Sequence, residues 1–350
     1  MAKRDCHGEV KPVVAGKVCV LGGGAFGTAM AQHLAVKGSK VAVWALEKEV
    51  VDSINTRHEN PVFLPGYTLN ERVVATQDIK EAVVDVEMIL MIIPTPFIAR
   101  WVIENQPMLP SNVPLVICSK GIEESTLRTP YEILVDELPG KYHSQLCVLS
   151  GPSFAKEVVS GLPTNCTCAS KFPEVAQRVQ SLVSTRTFRA YTAHDIVGAE
   201  LCGACKNVLA IACGASDGLG FGDNARAALI TRGLAEMARL IVQKGGRAAT
   251  ITGLAGVGDL VLTCSSTLSR NYTVGKGIAA GKAPDVGKAV AEGVITSLAL
   301  HRLAEQLGVS MPISEAVYQV IHGGVPIKQA LASLQARSLK SEDDDATWHS

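Results

Sequence analysis

The chain carries Gly22-Gly23-Gly24-Ala25-Phe26-Gly27 directly after an apolar, β-rich run, Lys17–Leu21, and at the head of a helical run, Ala25–Val36. No other feature narrows the fold as much. A Gly-x-Gly-x-x-Gly match alone is common by chance, but between a strand and a helix it marks a dinucleotide-binding turn at the first β-α-β unit. The first glycine permits the tight turn, the second lets the backbone approach a pyrophosphate, and the third lets helix pack on strand. Backbone N–H groups at the helix start then face the phosphates. Gly22, Gly24, Ala25 and Gly27 are therefore expected to hold a nicotinamide dinucleotide.

The first half of the chain continues the alternation. Lys40–Trp44 reads as a second strand and Glu49–Arg57 as a second helix. Glu87–Ile93 is an apolar run ended by Pro94 and Pro96, and Leu115–Cys118 and Gln145–Leu149 are further strands. Thr164–Ala169 and Thr187–Tyr191, with a helix at Pro173–Ser184 between them, extend the sheet. Strands apolar on both faces and separated by helices imply a doubly wound, mostly parallel sheet buried between helices, a Rossmann α/β domain. From about Asp195 the segments become long and helical: Val197–Ala215, Asn224–Lys244, Lys288–Leu307 and Ser314–Ile321. The expected organisation is a Rossmann domain over 17–194, an all-α domain over 195–340, and tails at 1–16 and 341–350. The last tail holds Glu342-Asp343-Asp344-Asp345.

Composition excludes some classes. With 350 residues, 47% of them hydrophobic, there is material for two cores. A formal net charge of zero argues against a general nucleic-acid binder, which needs a basic surplus. No run approaches the roughly 20 apolar residues of a membrane span. Met1 to Lys17 has no hydrophobic signal core, so cytoplasmic residence is expected, with an organelle such as a plastid or glycosome if a transit segment has been removed. The ten cysteines sit in apolar runs and read as reduced, buried thiols. Cys202-x-x-Cys205 lacks a second ligand pair and reads the same way, without a metal.

Several residues carry possible chemistry. Lys120, in Ser119-Lys120-Gly121, ends the strand Leu115–Cys118, and ligands of open α/β sheets bind at such ends. Gly151-Pro152-Ser153-Phe154-Ala155 follows Gln145–Leu149 in the same way. Lys206 lies in a helix that looks buried all round, where desolvation would bring its pKa toward the range useful for proton transfer; the alternative is snorkelling to the surface. Asp259 stands alone among glycines and apolar residues, suited either to orienting a lysine or a substrate hydroxyl or to capping a helix. Ser269-Arg270-Asn271 offers a phosphate seat, since Arg binds phosphate in bidentate fashion. Asp223 or Asn224 is expected to cap a helix, and Arg226 has no assigned role. Glu47, after the second strand, is placed to bond ribose hydroxyls and favours NAD; Lys48 keeps NADP open.

Taken in order from about Lys17 to Leu334, these segments resemble the NAD(P)-dependent glycerol-3-phosphate dehydrogenases. The resemblance rests on Gly22–Gly27, Lys120-Gly121-Ile122-Glu123, Gly151–Ala155 with Glu157, Lys206-Asn207-Val208, Gly253–Leu260 with Thr263-Cys264, Ser269-Arg270-Asn271 and Val290-Ala291-Glu292-Gly293. It implies interconversion of dihydroxyacetone phosphate and sn-glycerol 3-phosphate, and a helical domain of 6-phosphogluconate-dehydrogenase type. It implies Lys206 as proton donor and acceptor at the substrate C2 oxygen, with Lys120 binding substrate and polarising that oxygen. Asp259, Thr263, Gly151, Ser153 and Asn207 would line the site, and Ser269, Arg270 and Asn271 would hold the phosphate. On the cofactor side it implies Phe26, Phe97, Lys120, Ala155, Arg270, Val290 and Glu292. It implies a homodimer with neither nucleic-acid binding nor membrane insertion. The competing expectations are a β-hydroxyacid or 6-phosphogluconate-type dehydrogenase, which shares the architecture and a helix lysine, and a non-catalytic NAD sensor.

Overall fold

Successive residues of β1 (Lys17–Leu21) face opposite ways, and both faces are buried. Val18 and Val20 join one apolar cluster, and Cys19 and Leu21 join another. The same division runs through β2 (Lys40–Trp44), β4 (Val86–Met91), β5 (Leu115–Ile117) and β6 (Leu146–Ser150). A sheet with two apolar faces must be covered on both. In the computed structural model, which describes residues 16–283, 291–339 and 341, it is.

Three further strands, β3 (Val73–Thr76), β7 (Thr164–Ala169) and β8 (Phe188–Ala193), complete an eight-stranded sheet in the order β3-β2-β1-β4-β5-β6-β7-β8. All neighbours are parallel except β6 and β7, which are antiparallel. The helices between the strands are α1 (Ala25–Lys37), α2 (Lys48–Arg57), α3 (Ile79–Val83), α4 (Thr95–Asn105), α5 (Pro130–Glu137), α6 (Ala155–Val159) and α7 (Pro173–Val183). The strand order turns back at β1, which lies between β2 and β4, and in open α/β sheets ligands bind at the carboxyl ends of the strands at such a point.

After β8 the described chain is helical: α8 (Ile196–Gly218), α9 (Gly222–Gln243), α10 (Asp259–Cys264), α11 (Arg270–Ala279), α12 (Glu292–Leu307), α13 (Pro312–Ile321) and α14 (Ile327–Gln335). The cluster behind Cys19 and Leu21 runs on through α4 and α5 into α8, α12 and α13, so one apolar core joins the sheet to the helices. At its centre α8 is long and apolar enough to cross a bilayer, contrary to the expectation that no such run exists. Yet 89% of its most apolar stretch is buried inside the protein.

Strand and helix limits lie within three residues of the sequence reading, as in Val86–Met91 against the expected Glu87–Ile93, except at α12, which starts at Glu292 against an expected Lys288 that lies outside the described residues. β3, α3, α4, α5, α10, α11 and α14 escaped that reading. β3 is a four-residue edge strand with alternating exposure, too short to show an apolar run. α3 has five residues, and α4 begins inside the Pro94–Pro96 break that reads as a stop signal. α5 did carry a signal, because Thr129 and Glu132 form a reciprocal capping box with Pro130 at the first turn. The acidic tail and residues 284–290 lie outside the described residues.

Candidate active site

Three elements that are distant in sequence bring two lysines onto one carboxylate. Lys120 follows β5, Lys206 lies mid-way along α8, and Asp259 opens α10 after a π-type turn at Leu254–Gly258, a wide backbone geometry frequent at functional sites. Lys206 Nζ donates to Asp259 Oδ1 at 2.7 Å and to Thr263 Oγ1 at 2.9 Å. Lys120 Nζ donates to Asp259 Oδ2 at 2.7 Å. Thr263 is fixed in turn, its hydroxyl donating to the Asp259 carbonyl at 2.6 Å. Asp259 is 1% exposed and Lys206 6%. Of the two readings of Lys206, pairing in the interior holds and snorkelling does not. Asp259 orients lysines; its side chain caps no helix.

The electrostatics follow from two cations sharing one anion. Burial pushes the Lys206 ammonium down to about 8; Asp259 resists the drop and the Lys120 charge adds to it. Burial pulls Lys120 the same way, but the Asp259 charge and hydrogen bond, with Glu292 beyond, outweigh it and hold Lys120 above the usual lysine range. Burial works against the Asp259 charge, yet the two ammonium groups keep its carboxyl below the usual carboxylate range. A lysine tuned to about 8 beside a permanent cation can exchange a proton near neutral pH while a positive charge remains in place.

The glycine turn stands at the carboxyl end of β1 on the same side of the sheet. A β-carbon on Gly27 would lie 1.9 Å from the Gly22 carbonyl oxygen, so helix and strand close only without one. A β-carbon on Gly24 would meet nothing within 4 Å. Packing does not demand the glycine at 24; a group approaching from outside would. Gly24 also caps α1 with no side-chain bond, and no acid stands in the helix's first turn. Those N–H groups and that bare cradle fit the pyrophosphate of a dinucleotide. Asn60, which the sequence reading passed over, braces the turn from the loop after α2. Its Nδ2 donates to the Gly23 carbonyl and to Thr28 Oγ1, each at 2.8 Å.

Residues 17–176 match the family model described as NAD-dependent glycerol-3-phosphate dehydrogenase N-terminus, and residues 195–332 match the model described as its C-terminus. The chain belongs to the NAD-dependent glycerol-3-phosphate dehydrogenase family. It is 49% identical over 327 residues to the glycerol-3-phosphate dehydrogenase [NAD(P)+] of Myxococcus xanthus, covering 92% of this chain and 98% of that one. Its fold superposes on the glycerol-3-phosphate dehydrogenase of Coxiella burnetii with a TM-score of 0.85 at 36% identity, over 93% of this chain and 100% of that one. The corresponding enzyme of Saccharomyces cerevisiae gives 0.78 at 30%, over 92% and 99%. Family membership makes the cofactor NAD(P) and the class an oxidoreductase acting on a CH–OH group.

Asn207 and Asn271 are both buried and bonded to the protein. Asn271 Nδ2 donates to Asn207 Oδ1 at 2.9 Å, Asn207 Nδ2 donates to Glu292 Oε2 at 3.0 Å, and the Gly293 N–H returns to Asn271 Oδ1 at 2.9 Å. This ring ties the starts of α11 and α12 to the residue after Lys206. Ser269 caps α11, accepting from the Tyr272 N–H at 3.2 Å, and Arg270 extends from the first helical position into solvent, with no bonded partner among the described residues.

The turn Gly151-Pro152-Ser153 lies against the residue before Asp259, since a β-carbon on Gly258 would come 3.7 Å from Pro152 Cδ. Phe26 and Ala155 pack half-buried beside the glycine turn, and Phe97 is 62% exposed at the start of α4. The Thr95 hydroxyl donates to the Lys120 carbonyl at 3.1 Å and so braces that lysine, a link with no signature in sequence.

Some expectations are corrected. The α9 cap is Phe221 without a side-chain bond, so neither Asp223 nor Asn224 caps that helix; Asp223 pairs with Arg226, which also bonds Asp217 at 2.5 Å. Lys48 is drawn to Asp52 at 2.6 Å, while Glu47 stays half-buried at the α2 cap position without capping it. Val290 lies outside the described residues. Cys202 and Cys205 are free and buried, and burial raises both thiols.

Proposed function

We propose that the chain interconverts dihydroxyacetone phosphate and sn-glycerol 3-phosphate, with Lys206 as proton donor and acceptor. The observation that carries this reading is the buried Lys206–Asp259–Lys120 cluster, in which one lysine is tuned to about 8 and the other kept charged. Gly22–Gly27 would hold the pyrophosphate of the dinucleotide, whose nicotinamide would supply or accept the hydride at the substrate C2 carbon. Lys206 gives its proton to the oxygen that becomes anionic as the ketone is reduced, and takes it back in the reverse direction. Lys120 lends a fixed positive charge to the same oxygen. Asp259 holds both ammonium groups, and Thr263 holds that of Lys206. Arg270, with Ser269 and Asn271 at the start of α11, would bind the phosphate, which is remote from the reacting bond and positions the ketone. Gly151 and Ser153 would line the floor beside Asp259. Phe26, Phe97, Ala155 and Glu292 would contact the cofactor, and Glu47 would take the ribose hydroxyls, favouring NAD. Residues 17–194 then form the nucleotide-binding domain and 195–340 the catalytic one, in a cytoplasmic homodimer.

The test is a substrate panel with NADH and NADPH. Oxidation of NADH with dihydroxyacetone phosphate, and not with 2-keto or 3-keto acids, is the expected result. No turnover with dihydroxyacetone phosphate removes the reading, and turnover of keto acids instead would assign the chain to the hydroxyacid dehydrogenases.

A further inference from the structure

We propose that Ser150 is a positioning residue for the Lys120 ammonium, a role that rests on the reading of Lys120 given above. Ser150 is the last residue of β6 and is 4% exposed. Its Oγ is shut off from water and has no hydrogen-bond partner among the described residues. A buried hydroxyl without a partner is destabilising, and proteins keep few of them.

The stem of Lys120 borders the same space beside Gly203. A β-carbon on Gly203 of α8, one turn before Lys206, would fall 3.3 Å from Lys120 Cγ, 3.5 Å from Lys120 Cδ and 3.5 Å from Ser150 Oγ. The missing side chain at 203 therefore leaves one space, and the hydroxyl and the lysine stem share it. Both are under-bonded. An ammonium has three hydrogens to donate. Among the described residues Lys206 places two of them, on Asp259 and Thr263, while Lys120 places one, on Asp259.

A lysine on a flexible four-carbon stem needs a stop if it is to meet a substrate oxygen in one geometry. Asp259 cannot be that stop alone, because it attracts both lysines and cancels charge. Ser150 Oγ, carried on a strand in the middle of the sheet, accepts a hydrogen bond from Lys120 as the ammonium turns from Asp259 to the substrate. A neutral acceptor orients the cation and leaves its charge available for the developing alkoxide.

The experiment compares Ser150→Ala and Ser150→Thr with the parent in steady-state kinetics with NADH and dihydroxyacetone phosphate, and in thermal unfolding. Ser150→Ala should lower kcat about tenfold, the effect of one hydrogen bond to a charged group, with KM changed less than about twofold. Its Tm should stay level or rise, because no bond present in the resting protein is lost. Ser150→Thr, which keeps the hydroxyl, should restore kcat to within about threefold of the parent. Unchanged kcat in Ser150→Ala, or a kcat loss that tracks a fall in Tm, overturns the role of Ser150 and leaves the reaction standing. A parent chain that does not turn over dihydroxyacetone phosphate overturns both.

Discussion

Lys206 Nζ stands 2.7 Å from Asp259 Oδ1 in the interior of the protein, with both side chains almost wholly removed from water. Removing one partner of such a buried pair leaves an uncompensated charge. Here the carboxylate is shared, so Asp259 keeps Lys120 when Lys206 is lost. Lys206→Ala should therefore still fold and bind NADH, while turnover falls by about 100-fold or more, the usual size of a general acid–base contribution. NADH fluorescence titration beside steady-state rates checks both halves. Near-normal turnover would take the proton-transfer role from Lys206.

The same lysine sets a pH dependence with opposite signs in the two directions. Ketone reduction needs the ammonium, so kcat/KM for dihydroxyacetone phosphate should fall as pH rises through about 8. Alcohol oxidation needs the neutral amine and should rise through the same value. Profiles that run in parallel would point to a different titrating group.

Arg270 projects into solvent from the start of α11, unpaired among the described residues and free to meet an anion. Arg270→Ala should raise KM for dihydroxyacetone phosphate by about tenfold or more, the range of charge-assisted hydrogen bonds. The weak reaction of unphosphorylated dihydroxyacetone should hardly change. A KM that stays put would move the phosphate seat elsewhere.

After β2, Lys48 is held by Asp52, and the Glu47 side chain has no hydrogen bond among the described residues. Glu47→Arg should shift the ratio of kcat/KM values toward NADPH. If the ratio is unmoved, Glu47 does not reach the ribose.

Away from the site, Glu200 of α8 accepts the Tyr131 N–H at 2.8 Å and leaves its second oxygen buried without a partner. Burial pushes its carboxyl from 4.5 up to about 8. The folded protein then keeps a proton that the unfolded chain releases, so stability declines as pH rises between those values. Glu200→Gln should leave Tm nearly unchanged at pH 5 and raise it by a few degrees at pH 8, on the scale of a few kcal/mol. A gain that is the same at every pH would mean that Glu200 ionises freely in the folded state.

The parts of this protein that were legible in its order of residues are local ones. Gly22–Gly27 announces a nucleotide because a turn of six residues carries its own geometric demands. The β-α alternation announces a parallel sheet because strands buried on both faces cannot hide their apolar character. Lys206 stood out because a lysine in an apolar helix needs a partner. Which partner it has was not legible. Asp259 lies 53 residues on, and only the packing of α8 against α10 turns its carboxylate to both lysines. The antiparallel β7, the brace from Asn60 to the glycine turn and the space that Ser150 shares with Lys120 under Gly203 are of the same kind. Each joins groups far apart in the chain, and hydrogen bonds and desolvation act over a few ångströms of space, whatever the number of residues between.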